Sequence, residues 1–223
     1  MRPTHNQIHD FAGDDHTADT LANLNSKITD ATLGDAADFC EDTFEESVFI
    51  HIEDAIDGAV PPTALATITS GVGKDKYRDF AGATADEDVV IPWTVPRDIV
   101  VASGIKFRVI GYLTAETDPD VDTQGVVFQL QGVSLGTGDP LADAFGASVA
   151  QTSMLTDMFA RGCIQYDYYT TVDSAAVTVL NLLGGERVIL KLYRDQDHAS
   201  DTYAQEIGVT GVVLTYSRTP EPA

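Results

Sequence analysis

The chain has 223 residues, enough to bury one large hydrophobic core without disulfides or a structural metal. Its 13 Lys and Arg residues face 35 Asp and Glu residues, and the net charge of −22 repels phosphate backbones, which excludes direct nucleic-acid binding. No segment approaches the ~18 consecutive apolar residues of a membrane-spanning helix, and the N-terminus lacks the apolar centre of an export signal, so we expect no membrane partner.

Residues 1–42 form the first predicted unit, an N-terminal arm. Leu21, Leu24 and Ile28 are spaced three and four residues apart, which places a narrow apolar stripe on one face of a short helix. Polar residues interrupt this stripe, so an isolated helix would be marginal in water and would order only against a neighbouring surface. We expect Leu21, Leu24, Ile28 and Leu33 to make the docking contacts, and whether the arm is helical or extended stays open.

The sequence pattern changes at residue 43, where alternating apolar residues begin. Val48, Ile50 and Ile52 are separated by single residues and predict a strand. Thr43 and Glu46 also fit a capping box, which leaves a helix as the alternative. We therefore expect a boundary close to residue 43 between the arm and a folded body.

Prolines limit a later apolar run, "DEDVVIPWTVPRD". Pro92 and Pro96 cannot donate hydrogen bonds to a strand ladder, so this run is confined to a sheet edge or to an extended segment outside the ladder interior. The run also contains Trp93 and Val95, which we expect to offer exposed apolar surface to another subunit. A plain core position for Trp93 is the alternative.

The rest of the chain to residue 218 is rich in β-branched and aromatic residues. The clearest strand is "SGIKFRVIGYLT", because Ile105, Phe107 and Val109 alternate with Lys106 and Arg108. Further strand-like runs are "LATI", "QGVVFQLQGVSLG", "CIQYDYYTTV", "AAVTVLNLL", "ERVILKLYRD" and "EIGVTGVVLTYSR". About eight strands without full-length amphipathic helices predict an all-β antiparallel sandwich, jelly-roll-like, over residues 43–218, with a C-terminal tail at 219–223.

Acidic residues in two loops are the first candidates for chemistry. Asp118, Asp120 and Asp122 occupy alternate positions like the first ligands of a calcium loop, but Gln129 stands where such a loop needs a bidentate glutamate. A solvated acidic loop and a weak loop cation are the two alternatives. In the second loop, "RDQDHASD", no partner that would raise a carboxylate pKa is evident, so it does not predict a hydrolytic site. Its acidic and histidine residues are Asp195, Asp197, His198 and Asp201.

Other reactive side chains are isolated in the sequence. Cys40 and Cys163 are too far apart to form a disulfide framework or a zinc signature, and we expect small buried or half-buried side chains. His5, His9 and His16 lie in a stretch that does not predict the rigid helix a His-x3-His metal site needs. No phosphate loop or Gly-x-Ser-x-Gly nucleophile motif is present. We therefore expect a protein that is not an enzyme, with no catalytic residues, cofactor or metal.

Two groups of motifs point to a known class of protein. The arm segment "HTADTLANLNSKITDATLGD" has a His-Thr start, a Thr-Leu-x-x-Leu-Asn centre and an Asp-Ala-Thr-Leu ending. The body adds a Tyr-Arg-x-Phe turn at residues 77–80, a Trp-x-x-Pro at 93–96, a Gly-Glu-x-Val strand from Gly185 and a final strand leading to Leu214 and Tyr216. Over most of residues 14–217, these features resemble structural proteins of tailed viruses, either bacteriophages or haloarchaeal viruses.

The resemblance implies a virion structural protein at the capsid surface. Such a capsid decoration or cement subunit, commonly a homotrimer with a jelly-roll body, would bind the major capsid protein or other virion subunits through its arm. The alternative is a tail or head fibre, or a spike that binds a receptor, although the chain lacks the long shaft or coiled coil that fibres usually have. The third class is a carbohydrate-binding or hydrolytic sandwich, which needs an aromatic platform or a carboxylate pair. Tyr166 and Tyr168 are its candidates and are as easily core residues.

The charge predicts a salt response. Most of the acids are Asp and are spread along the chain, whereas lysine occurs at five positions. Their mutual repulsion destabilises a compact state unless salt screens it, which fits a protein that works in brine or sea water; an ordinary acidic protein is the alternative.

We expect the melting temperature, followed by circular dichroism, to rise as NaCl increases from about 0.1 M to 1 M. Over this range the screening length falls from about 10 Å to 3 Å, so the repulsion between carboxylates weakens. A melting temperature that does not change with salt would contradict charge-limited stability.

Overall fold

The computed structural model describes residues 43–68, 74–82, 86–114, 124–140, 144–158 and 167–219, all of which belong to one unit spanning Thr43–Glu221. The predicted arm, residues 1–42, lies outside the described residues. The strands are β1 (Phe44–His51), β2 (Ile56–Asp57), β3 (Ala66–Thr67), β4 (Lys76–Phe80), β5 (Asp88–Thr94), β6 (Ile105–Tyr112), β7 (Gly125–Leu135), β8 (Val149–Met154), β9 (Tyr168–Thr170), β10 (Arg187–Arg194) and β11 (Ile207–Arg218). Helical structure in these ranges is limited to one turn, α1 (Leu155–Met158), and to 3-10 turns at Ile52–Asp54 and Val101–Ser103.

The strands form two antiparallel sheets. Sheet A has the order β3-β4-β11-β6-β9, with β1 also paired to β11, and sheet B has the order β2-β5-β10-β7-β8. The strand sets β4-β11-β6-β9 and β5-β10-β7-β8 form the two four-stranded sheets of a jelly roll, and β1, β2 and β3 extend them. The predicted all-β, jelly-roll-like antiparallel sandwich is therefore confirmed.

The core lies between the two sheets and is built by strict alternation along the strands. In β6, Ile105, Phe107 and Val109 are fully buried, whereas Lys106 and Arg108 point to the outer face. Aromatic side chains join the sheets across the core. The rings of Phe80 in β4 and Phe128 in β7 meet edge to face with their centroids 6.0 Å apart.

Two sequence expectations near the sheet edges are confirmed. Residues Phe44–His51 form a strand that pairs along its whole length with β11, so the helix alternative from the capping box is wrong. Pro92 lies in β5, where β10 pairs on one side, while β2 pairs on the other side only as far as Val89 and Val90. Pro92 therefore sits on a free stretch of β5, where its missing N–H breaks no ladder.

Two local predictions are wrong, and one strand was missed. The motif at residues 77–80 is not a turn, because it lies in β4 and pairs with both β3 and β11. The run at residues 175–183 is not a strand, and it contributes only isolated bridges at Val177 and Leu180. Strand β8 was not expected, because its inward residues Gln151 and Ser153 are polar and hide the alternation, although both are 2% exposed.

A fully buried arginine closes one end of the sandwich. Arg194, at the end of β10, binds the carboxylate of Asp201 through two nitrogens, with N···O distances of 3.0 Å and 2.8 Å. It also donates to the carbonyls of Phe80, Tyr203 and Gln205. The same carboxylate accepts the backbone N–H of Val127 in β7. The hydrogen bonds of Arg194 and Asp201 therefore fix three segments relative to one another: the end of β4, the start of β7 and the loop before β11.

We expect Asp201→Asn to lower the free energy of unfolding by about 3–5 kcal/mol in urea titrations, because the buried guanidinium of Arg194 keeps its charge without a counterion. The matched control is Asp197→Asn in the same loop. Its side chain is exposed, so its effect should stay within about 0.5 kcal/mol. Equal losses in the two variants would show that the loop, and not the buried ion pair, limits stability.

In the part of the chain that the structure describes, no helix has the length and apolar character needed to cross a membrane.

Candidate functional site

Charge is divided unevenly between strands and loops. Among the 35 acids of the chain, those in the described strands are Glu45, Glu46, Asp57, Asp79 and Asp88. Strands β6 to β11 contain no acid, but they contain Lys106, Arg108, Arg187, Lys191, Arg194 and Arg218. The outer sheet faces are therefore the least negative surfaces of the described body, and a partner that approaches them meets the weakest repulsion.

The outer face of sheet A carries three tyrosines side by side, which we call the tyrosine platform: Tyr77, Tyr112 and Tyr168. Tyr112 in β6 pairs with Gly208 of β11 on one side and with Tyr168 of β9 on the other. Tyr77 lies two residues before Asp79, the partner of Gly208 in β4. Because opposite residues of paired strands share a face, all three rings lie on the same side of the sheet, across a width of about 14 Å.

Two of the three rings are in contact, and one of these two is largely exposed. The rings of Tyr112 and Tyr168 meet edge to face at a centroid distance of 5.7 Å, and the side chain of Tyr168 is 55% exposed. A Cβ atom on Gly208 would lie 3.0 Å from Cδ2 of Tyr77, so the absence of a side chain there lets the Tyr77 ring lie over the backbone of β11. Gly208 thereby brings the rings of the platform together across the middle strand.

Carboxylates border the tyrosine platform. The hydroxyl of Tyr112 donates to Oδ2 of Asp75 at 3.4 Å, and the hydroxyl of Thr114 donates to Oδ1 of Asp79. Burial raises the pKa of Asp79, although its hydrogen bond with Thr114 opposes the shift. Burial, followed by the nearby charge of Asp75, also raises the pKa of Tyr112, so this phenol keeps its proton at neutral pH.

The arrangement suits a ligand with an apolar face and hydroxyl groups along its edges. Flat aromatic rings bind the apolar face of such a ligand, while ionised carboxylates accept hydrogen bonds from its hydroxyls. Lys76 and Arg78, which alternate with Tyr77 in β4, pair instead with Glu53 and Asp57. The polar groups described at the platform are therefore carboxylates and hydroxyls.

The acidic loop after β10 does not form a second site. The carboxylate of Asp201 forms a buried ion pair with Arg194. Asp195 accepts a hydrogen bond from the side-chain amide of Gln129. Nδ1 of His198 accepts the N–H of Ser200 within the loop. Within the described ranges, no group of three or more His, Cys, Asp or Glu residues could hold a metal ion.

Trp93 and Val95 were expected to offer exposed apolar surface to another subunit, but both lie on the inner side of the sheet. Val95 is 2% exposed, so the expectation that it offers exposed surface is wrong. Trp93 is half-buried on the inner side of β5 and its ring lies 5.3 Å from that of Tyr216, across the sandwich. Trp93 and Val95 alternate in step with Val89 and Ile91, whose side chains face the core. The prolines in this run obscured that alternation in the sequence.

Several other candidates lie outside the described residues. These are the arm residues Leu21, Leu24, Ile28 and Leu33, the acids Asp118, Asp120 and Asp122, the histidines His5, His9 and His16, and Cys40, Cys163 and Tyr166. Tyr168 is the one member of the predicted tyrosine pair that the structure describes, and its exposure excludes a core position. Tyr169, its neighbour, is fully buried instead.

A second candidate site is a depression lined by residues from the connections between strands. It has a volume of about 560 Å³ and is lined by Val101, Asp139, Asn181, Leu182, Leu183 and Glu186. Its two carboxylates have partners inside the chain, since Asp139 accepts the N–H of Gly136 and Glu186 accepts the hydroxyl of Ser134. No aromatic ring lines this depression, so it lacks the stacking surface of the tyrosine platform.

Comparisons with known proteins give likenesses among solved structures only. No protein family and no curated protein matches the chain. Among solved structures, the chain is similar to TmCBM27, a carbohydrate-binding module described in a study of specific mannan recognition. The two share 11% sequence identity with a TM-score of 0.40, and the match covers 78% of this chain and 98% of that chain.

Proposed function

We propose that this chain is a glycan-binding module that performs no chemistry, and that the tyrosine platform is its binding surface. The observation that supports this most directly is the exposed ring of Tyr168 beside Tyr112, on a sheet face bordered by carboxylates. Carbohydrate binding was one of the classes that the sequence left open, and an aromatic platform was one of the features expected for it. The described body has such a platform.

The chemistry of the platform favours neutral glycans. Asp75 and Asp79 are acceptors when ionised, so the ligand must supply donors, and sugar hydroxyls do this. An anionic sugar would instead meet these carboxylates and the field of a chain with a net charge of −22. The ligand class proposed is therefore a neutral oligosaccharide or polysaccharide.

A glycan array probed with the intact protein in about 0.5 M NaCl tests this proposal, since that ionic strength screens much of the non-specific repulsion. We expect signals on neutral glycans and none on sialylated or sulfated ones. Tyr168→Ala should weaken binding of the best array ligand about tenfold in calorimetry, because an exposed stacking ring is lost. Its melting temperature should not change, because the side chain is half exposed in the folded protein.

The matched control is Leu183→Ala, a similarly exposed apolar residue at 58%, which lines the depression between the connections and not the tyrosine platform. It should bind the same ligand with unchanged affinity. Signals restricted to anionic glycans, no signal at all, or equal effects of the two substitutions would overturn the proposed function.

A place on a virus particle is the second candidate function. It is supported by the resemblance of the arm segment and of the body to virion proteins. In this proposal the arm binds the major capsid protein or other virion subunits through Leu21, Leu24, Ile28 and Leu33, and the body is a capsid decoration subunit. A fibre or spike that binds a receptor glycan would combine both proposals.

Labelling intact particles with an antibody against the body tests the second candidate. We expect label over the whole head, and we expect a protein that lacks residues 1–39 to fold but to be absent from particles. Label confined to the tail or to single vertices would favour the fibre or spike. Particles without label, or normal incorporation of the shortened protein, would contradict the virion role or the role of the arm.

A further inference from the structure

Strand β1 leaves one long ladder edge open. Its residues, Phe44–His51, pair with β11 on one side, and across the described residues no hydrogen bond joins the other edge to any group. Among the other outer strands of the two sheets, β2 and β3 have two residues each, β9 has three and β8 has six, so β1 is the longest at eight. A row of unpaired backbone N–H and C=O groups of this length is a template for another strand.

Two of the usual protections of an edge strand, a proline and a bulge, are absent from β1. It contains no proline, and its register with β11 runs without a bulge from Phe44 to His51. Its two carboxylates are neutralised inside the chain, because Lys106 lies 3.0 Å from Glu45 and Arg218 lies 2.5 Å from Glu46. In a protein with a net charge of −22, this edge is one that an identical chain can approach with little local repulsion.

Two large apolar side chains flank the open edge. Phe44 is 46% exposed and Phe49 is 40% exposed. The ring of Phe49 lies over Gly211, where a Cβ atom would be 2.5 Å from it, and it meets the His51 ring edge to face at 4.5 Å. A strand added beside β1 would cover the free side of Phe49 and would remove apolar surface from water.

We propose that a second copy of this chain occupies the edge, with the two β1 strands antiparallel and Val48 opposite Val48 of the other copy. Side chains alternate in β1, with Glu46, Val48 and Ile50 half-buried and their neighbours exposed. Directly opposite residues must share a face, so a symmetric pair has to be centred on a residue and not between two residues.

The polar side chains of β1 favour the register centred on Val48. It places Glu45 opposite His51 of the other copy, at both ends of the ladder, and Ser47 opposite Phe49. The register centred on Ser47 instead sets Glu45 opposite Phe49 and leaves His51 opposite Thr43. A carboxylate opposite a histidine ring can accept a hydrogen bond from its N–H, whereas a carboxylate opposite a phenylalanine ring meets no donor, so the Val48 register has the better complementarity.

Cysteine cross-linking tests the pairing and its register directly. In the full chain with Cys40→Ser and Cys163→Ser, Val48→Cys should form a covalent dimer under mild oxidation, because directly opposite Cβ atoms lie about 4.5–5.5 Å apart. Ser47→Cys is the matched control, since each Ser47 would face Phe49 and lie diagonal to the other Ser47. Cross-linking of Ser47→Cys alone would overturn the register.

Sedimentation equilibrium in about 1 M NaCl tests the association without cysteines. The wild-type protein should give a mass about twice 23.9 kDa at high concentration and should dissociate on dilution. His51→Glu sets acids opposite each other at both ends of the ladder, so the dissociation constant should rise about tenfold. Thr94→Glu adds the same charge to an exposed position of β5 and should change nothing. A monomer, or the homotrimer with no Val48→Cys cross-link, would overturn the proposal.

Discussion

The ion pair between Arg194 and Asp201 is the interaction on which the closed end of the sandwich depends. Arg194 has no exposed surface, and its nitrogens contact the end of β4 in sheet A, while its own strand belongs to sheet B. Asp201 extends the contact to β7 through the N–H of Val127. A buried charge is tolerated only when every donor is satisfied, so the loop between β10 and β11 must hold one conformation. That conformation places Gly208 at the start of β11, under the ring of Tyr77.

The distribution of charge follows from the same architecture. Strands that are buried on one face and packed on both sides have little room for unpaired carboxylates, and those present are mostly tied to cations, as in Glu46 with Arg218 and Glu45 with Lys106. The remaining acids of the described residues lie in the connections between strands, where most of them are in contact with water and Asp201 is a buried exception. In the described body, the loops therefore carry more of the negative charge than the strands do. Binding surfaces are therefore expected on the sheets, in contrast to the many sandwiches that bind through loops.

Much of this fold could be predicted from the sequence, because strands with one buried face show their alternation. Ile105, Phe107 and Val109 in β6 are the clearest example. Strand β8 could not be predicted, because Gln151 and Ser153 face inward there and hydrophobicity gives no signal for a buried polar residue. The run at residues 175–183 was predicted to be a strand because it is apolar. Its apolar residues pack at the end of the sandwich without joining a ladder, so hydrophobicity gave a false signal there.

The tyrosine platform could be predicted only in part. Tyr168 was visible in "YDYY", but Tyr77 and Tyr112 come from distant segments that β11 brings together through Gly208. No local pattern encodes such a meeting, because it depends on the order of strands in the sheet. A glycine within a long apolar strand was the one available signal, since it often marks the close approach of another group.

A flat, exposed platform desolvates little of its ligand, so a single site of this kind binds weakly. The proposed pairing of two β1 strands changes this situation. An antiparallel ladder between sheet edges continues sheet A from one copy into the other, and its two-fold axis is perpendicular to the sheet, so both outer faces lie on the same side. Both tyrosine platforms would then face one glycan-coated surface. Engagement of the second site becomes intramolecular, which can raise avidity by about 10²–10⁴ without any new contact, provided that the spacing of the glycans matches the sites. The open edge of β1 and the accessibility of Tyr168 thus support one mode of binding, in which affinity comes from the number of copies joined and not from the depth of a pocket.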